Sequence, residues 1–77
     1  MDDAEKQEWL LKLGARMKAL RIQKGYTSYE PFAYEHNIPR AQYGRYERGE
    51  NITFVNLMKV IQAFEMTPLE FFSEGFD

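Results

Sequence analysis

Ten residues, Pro39 to Arg48, carry three arginines and two tyrosines, within the stretch NIPRAQYGRYERGE of residues 37 to 50. A guanidinium is a rigid fork of donors that suits phosphate oxygens and the paired acceptors on the major-groove edge of guanine. The amide of Gln42, between these arginines, is able to bond adenine in the same two-pronged way. This chemistry is recognition rather than bond-making. Cysteine is absent, so there is no disulfide framework, thiolate metal site or thiol nucleophile. His36 is the only histidine, too few for a histidine-rich metal site, and no acidic cluster offers a carboxylate site. An acid and base drawn from His36 with Glu35 or Glu47 would not serve, because neighbours on a helix do not face each other. No glycine-rich phosphate loop accompanies them. We expect no catalytic residue, metal or cofactor, and not an enzyme.

The net charge of −2 and pI near 5.4 do not by themselves suggest a nucleic-acid partner. The distribution of charge is more informative. Residues 1 to 9 carry one lysine against four acids, residues 10 to 48 eight basic residues against three acids, and residues 49 to 77 one lysine against five acids. A basic middle lies between acidic ends.

These side chains must be held by a small domain. A chain of 77 residues that is 44% hydrophobic and 16% aromatic is enough for one modest core. No linker or internal repeat divides it, so the reading is a single domain over 1–77 with an acidic N-terminal extension over 1–9. No long apolar run marks a signal peptide or membrane helix, and a cytoplasmic protein is expected.

Leu10, Leu13, Met17 and Leu20 recur at helical spacing, with Asp2 or Asp3 available as a cap and Gly25 as a stop. Thr27 or Ser28 opens a second helix, with Thr27 and Glu30 at capping-box spacing, Pro31 near the first turn, and Phe32 and Ala33 facing inward. Asn37 tolerates a left-handed backbone and marks a tight turn. A third helix runs from about Pro39 to Arg48 and stops at Gly49, with Tyr43 and Tyr46 on one face. Thr53 caps a fourth helix with Phe54, Leu57, Ile61 and Phe64 inward, and Thr67-Pro68 opens a short fifth. Nothing alternates with period two, so the fold class is all-α, five helices.

Two short helices joined by a turn, the second of them basic, have the arrangement of a helix-turn-helix. The segment FAYEHNIPRAQYGRYERG resembles the helix-turn-helix of the phage-repressor and Cro-like family, also called the xenobiotic-response-element (XRE) family. Phe32 and Ala33 stand for its Leu-Ala and Asn37 for its turn glycine, while Tyr46, Glu47, Arg48 and Gly49 match its closing aromatic and Glu-Arg-Gly. The likeness extends through LGARMKALR, residues 13 to 21, and LMKVIQAFEMTPLEFF, residues 57 to 72, covering about residues 10 to 72. It implies a lambda-repressor-like domain with its motif at about 28–49, acting as a sequence-specific double-stranded DNA-binding transcriptional regulator.

Carried over residue by residue, the resemblance puts the third helix in the major groove, with Arg40, Ala41 and Arg45 at base edges and Gln42 and Gly44 beside them. Gly44 lets the helix approach DNA or a packed neighbour. Tyr29 stands where the family often has a phosphate-binding glutamine, and Arg48, Asn51 and Thr53 are further phosphate candidates, Asn51 and Thr53 doubling as loop and cap residues. The resemblance pairs Arg21 with Glu47 as a structural ion pair. Tyr43 replaces a core aliphatic, so its hydroxyl should reach the rim of the core; Tyr34, Tyr43 and Tyr46 are read as packing residues.

The chain departs from the family in three places. GYTSY has one residue more than the usual link, GENIT one fewer, and Glu50 replaces a frequent lysine where it would repel phosphate. At the C-terminus, Phe71, Phe72 and Phe76 form a possible dimer surface, which would set two recognition helices about one DNA turn apart. Trp9 and Leu11 lie off the main stripe of the first helix. No membrane or small-molecule partner is evident. The competing reading keeps the fold as a protein-interaction or antitoxin-like adaptor module, for which the aromatic C-terminus and acidic ends are suited.

Overall fold

The first helix begins where Asp2 and Glu5 cap each other: the Asp2 carboxylate accepts from the Glu5 amide at 2.8 Å, and Glu5 accepts from the Asp2 amide at 3.4 Å. From this capping box α1 (Asp3–Gln23) runs on as the longest element, taking in most of the acidic extension. A computed structural model describes all 77 residues and continues through α2 (Tyr29–Glu35), α3 (Arg40–Glu47), α4 (Phe54–Ala63) and α5 (Pro68–Phe71), with no strand. The other caps divide. Thr53 accepts from the Asn56 amide at the start of α4, and Thr67 and Glu70 form a capping box at α5, with Pro68 in its first turn. Ser28, not Thr27, precedes α2 and makes no side-chain cap bond.

Four helices end alike. After each, one residue takes a positive φ, and the next donates its amide back to a carbonyl five residues earlier. The left-handed residues are Gly25, Asn37, Gly49 and Glu65, and the bonds are Tyr26 to Arg21, Ile38 to Ala33, Glu50 to Arg45 and Met66 to Ile61. This is the Schellman closure. Asn37, at φ 58°, fills the role expected of it in the turn between α2 and α3.

The core gathers Met17, Leu20, Phe32, Ala33, Tyr43, Tyr46, Val60, Ile61, Phe64 and Phe71. Phe32 is its aromatic centre, stacked on Phe64 at 4.8 Å and tilted against Tyr43 at 5.3 Å. Helix α1 lies across the end of α3 so closely that a Cβ on Gly14 would stand 2.5 Å from the Glu47 carbonyl oxygen. Only a glycine fits that crossing. Arg16, also buried, donates through Nε to the Phe71 carbonyl at 2.8 Å and through Nη2 to that of Glu70 at 3.2 Å, tying α5 to α1.

Three packing expectations are corrected. Phe54 is 73% exposed, because it is the first residue of α4 and lies beyond the region that Leu57, Ile61 and Phe64 cover. Tyr34 is 74% exposed, since Phe32 and Ala33 alone face the core from α2. Tyr43 does not reach the rim. It is fully buried, and its hydroxyl makes no hydrogen bond.

Candidate nucleic-acid interface

Helix α3 has two faces with different contents. Tyr43, Tyr46 and Glu47 turn toward the body of the domain, while Arg40, Ala41, Arg45 and Arg48 are exposed along the opposite arc. The core face is fastened by Arg21. Its Nε and Nη2 each donate to a carboxylate oxygen of Glu47 at 2.9 Å, and its Nη1 donates to the Tyr26 carbonyl at 2.8 Å. Both side chains are buried, 5% and 8% exposed. The hydrogen bonds to Glu47, more than the opposing desolvation, raise the Arg21 pKa, so the cation is held firmly. Burial first, then the neighbouring Glu47 carboxylate, pushes the Tyr43 phenol well above its ordinary range and keeps it neutral.

On the exposed face, Arg40 and Arg48 have no acidic partner within ion-pair distance. Arg48 is the residue that closes α3. Arg45 has Glu50 beside it, Nε to Oε2 3.3 Å, with both side chains about half exposed. Gln42 is half-buried at the edge of the face, and its amide donates to the Tyr46 hydroxyl, which also accepts from Asn56 at 3.3 Å. These groups line a cavity of about 70 Å³ with Asn37, Ile38, Pro39, Lys59 and Val60.

The expectation that Gly44 lies beside base edges gives way to a packing role. Gly44 is buried, and a Cβ there would be 2.7 Å from the Tyr29 ring and 2.8 Å from its hydroxyl. Tyr29 therefore crosses from α2 onto the middle of the exposed arc of α3, where its hydroxyl makes no hydrogen bond within the chain. Asn51 is exposed, with its side-chain oxygen accepting from the Ile52 amide at 2.9 Å, and Thr53 is occupied in capping. At the C-terminus Phe71 is withdrawn into the core at 0% exposure, so it presents no surface; Phe72 is exposed and packs on half-buried Phe76 at 4.9 Å. Trp9 and Leu11 are about half exposed.

Sequence reasoning passed over Gly14, Arg16 and the Tyr46 hydroxyl. Gly14 and Arg16 lie inside the matched stretch LGARMKALR, and a glycine within a helix was the available signal of a close crossing. Nothing local in the sequence distinguishes a buried arginine from an exposed one.

No three histidine, cysteine or acidic side chains converge to hold a metal ion, and no helix is long and apolar enough to cross a membrane. A family model described as Helix-turn-helix matches residues 17–72. The control protein C.MunI of a Mycoplasma sp is 34% identical over 65 residues, covering 83% of this chain and 88% of that protein. No solved structure matches.

Proposed function

This chain belongs to the XRE-like helix-turn-helix family of DNA-binding transcription regulators, and from that premise we propose that α3 enters the major groove and reads sequence there. The observation that carries the reading is the division of α3. Its inner face is spent on the core and on Arg21, while Arg40, Ala41, Arg45 and Arg48 form an outer face with a second element, Tyr29, lying on it. Arg40 and Arg45 take guanine acceptors, Ala41 meets a thymine methyl, and Gln42, engaged with Tyr46, contributes from the edge. Tyr29, Arg48 and Asn51 contact phosphate and set the register. The acidic ends restrain general attraction to DNA, and the central cations supply it locally.

A single copy offers one short reading surface, and a pair of copies would read two half-sites about one helical turn apart. Exposed Phe72 on Phe76, with exposed Leu69 close in sequence, is the surface we assign to that homodimer. Selection of bound duplexes from a random pool tests the reading. A palindromic enriched site, bound with steep salt dependence and lost in Arg40→Ala with Arg45→Ala, is the expected result; no enrichment would favour the adaptor. A mass that stays monomeric at every concentration, with and without DNA, would remove the dimer.

A further inference from the structure

Arg45 differs from its neighbours on α3 in having an acid at its side, and that acid comes from the ending of its own helix. In the Schellman closure of α3, Gly49 takes φ 96° and the Glu50 amide donates to the Arg45 carbonyl at 3.1 Å. This geometry brings the side chains of those two residues together. The ends of α1, α2 and α4 place Tyr26, Ile38 and Met66 at the equivalent position, all partly buried and packed on the core. At α3 the position holds an exposed carboxylate against a guanidinium. The loop is fixed from behind as well: a Cβ on Gly49 would meet Leu11 at 2.9 Å and Gln7 at 3.0 Å.

We infer that Glu50 is a positioning residue for base reading, holding the guanidinium of Arg45 at the DNA-facing surface of α3. The inference rests on the reading of α3 as the recognition helix. Glu50 approaches Arg45 on the Nε edge at 3.3 Å, and neither terminal guanidinium nitrogen of Arg45 makes a hydrogen bond. The arginine is therefore restrained without being spent. A long side chain ordered before binding loses less freedom when it meets a guanine edge. The same carboxylate repels phosphate on any sequence. One residue thus lowers affinity for DNA in general and sharpens discrimination at the base pair that Arg45 reads.

The full chain is tested on its most enriched duplex from a random pool, on every single base-pair variant of that duplex, and on a shuffled duplex of equal composition. Glu50→Gln should bind the shuffled duplex roughly three- to tenfold more tightly, for loss of one repelling charge near phosphate. It should also lose roughly two- to threefold of discrimination at one base pair, the pair where Arg45→Ala loses more. In an Arg45→Ala background, Glu50→Gln should still tighten the shuffled duplex yet no longer alter discrimination there. Equal tightening on every duplex, with discrimination intact, would reduce Glu50 to repulsion and overturn the proposal. So would an unchanged profile. If the unmodified chain enriches no sequence, the DNA-binding reading itself fails, an outcome distinct from either.

Discussion

Two arginine–glutamate pairs lie on opposite sides of one short helix, and they differ in nearly everything but their chemistry. Arg21 and Glu47 are buried, bidentate and joined by bonds of 2.9 Å across 26 residues of sequence. Arg45 and Glu50 are half exposed, meet at 3.3 Å on one edge, and belong to a single helix ending. Water decides what each is worth. Once desolvated, neither partner of the inner pair tolerates losing the other, so that pair is structural whatever its net contribution. The outer pair is screened and adds little to stability. Its atoms remain open to solvent, as the proposed recognition role requires.

The largest expected effect breaks the inner pair. Glu47→Ala strands the Arg21 cation and should cost about 3–5 kcal/mol of folding free energy, with weaker DNA binding as a consequence. Replacing both partners, Arg21→Met with Glu47→Leu, should cost less than either single change, as measured by urea or thermal unfolding. An unchanged midpoint in Glu47→Ala would remove the structural role. The outer face should behave in the opposite way. Arg40→Ala or Arg45→Ala should leave stability within about 0.5 kcal/mol while each costs about 1–3 kcal/mol of specific binding, read by titration of an enriched duplex.

Gly14→Ala sharpens the contrast by moving the helix that carries Arg21. Its methyl meets the backbone of α3, and a loss of about 1–3 kcal/mol is expected on unfolding. Tyr43→Phe tests a polar group that the inner face leaves unpartnered. Deleting that hydroxyl should be neutral or stabilising by about 1 kcal/mol. Because burial holds the folded phenol above its ordinary value, Tyr43 carries no ionisation penalty below the unfolded pKa of 10.0 and destabilises the fold progressively as pH rises from there through its folded value. Wild type should therefore lose stability in alkali more steeply than Tyr43→Phe does, as judged by urea midpoints. The smallest effect belongs to the outer pair: Glu50→Gln should move the unfolding free energy by less than about 0.5 kcal/mol.

The helices were legible because their signals are local. Thr53, Thr67 with Pro68, Asn37 and Gly49 each act within a few residues, and each lies at the helix boundary its chemistry requires. What was hidden depends on the approach of distant segments. Periodicity gives the inward face of α4 but not the edge of what covers it, so Phe54 read as core. Gly44 read as a groove residue because the Tyr29 ring that covers it comes from another helix. Arg16 and Arg21 are both buried, yet only Arg21 had a partner named in advance by the Glu-Arg-Gly resemblance. The acid at position 50 was visible as a departure; its neighbour was not, because a backbone reversal brings Arg45 alongside.

The repeated Schellman closures bear on the thermodynamics of association. Each fixes the chain's change of direction through backbone bonds, so the segments between α1, α2, α3 and α4 have little slack to lose when a partner arrives. Docking should then approach a rigid-body event, with a heat-capacity change that follows the area covered and carries no excess from coupled folding. The freedom left to be ordered then resides chiefly in Arg40 and Arg48, the exposed arginines of that face with no acid beside them, and the cost of docking becomes a matter of a few side-chain rotamers.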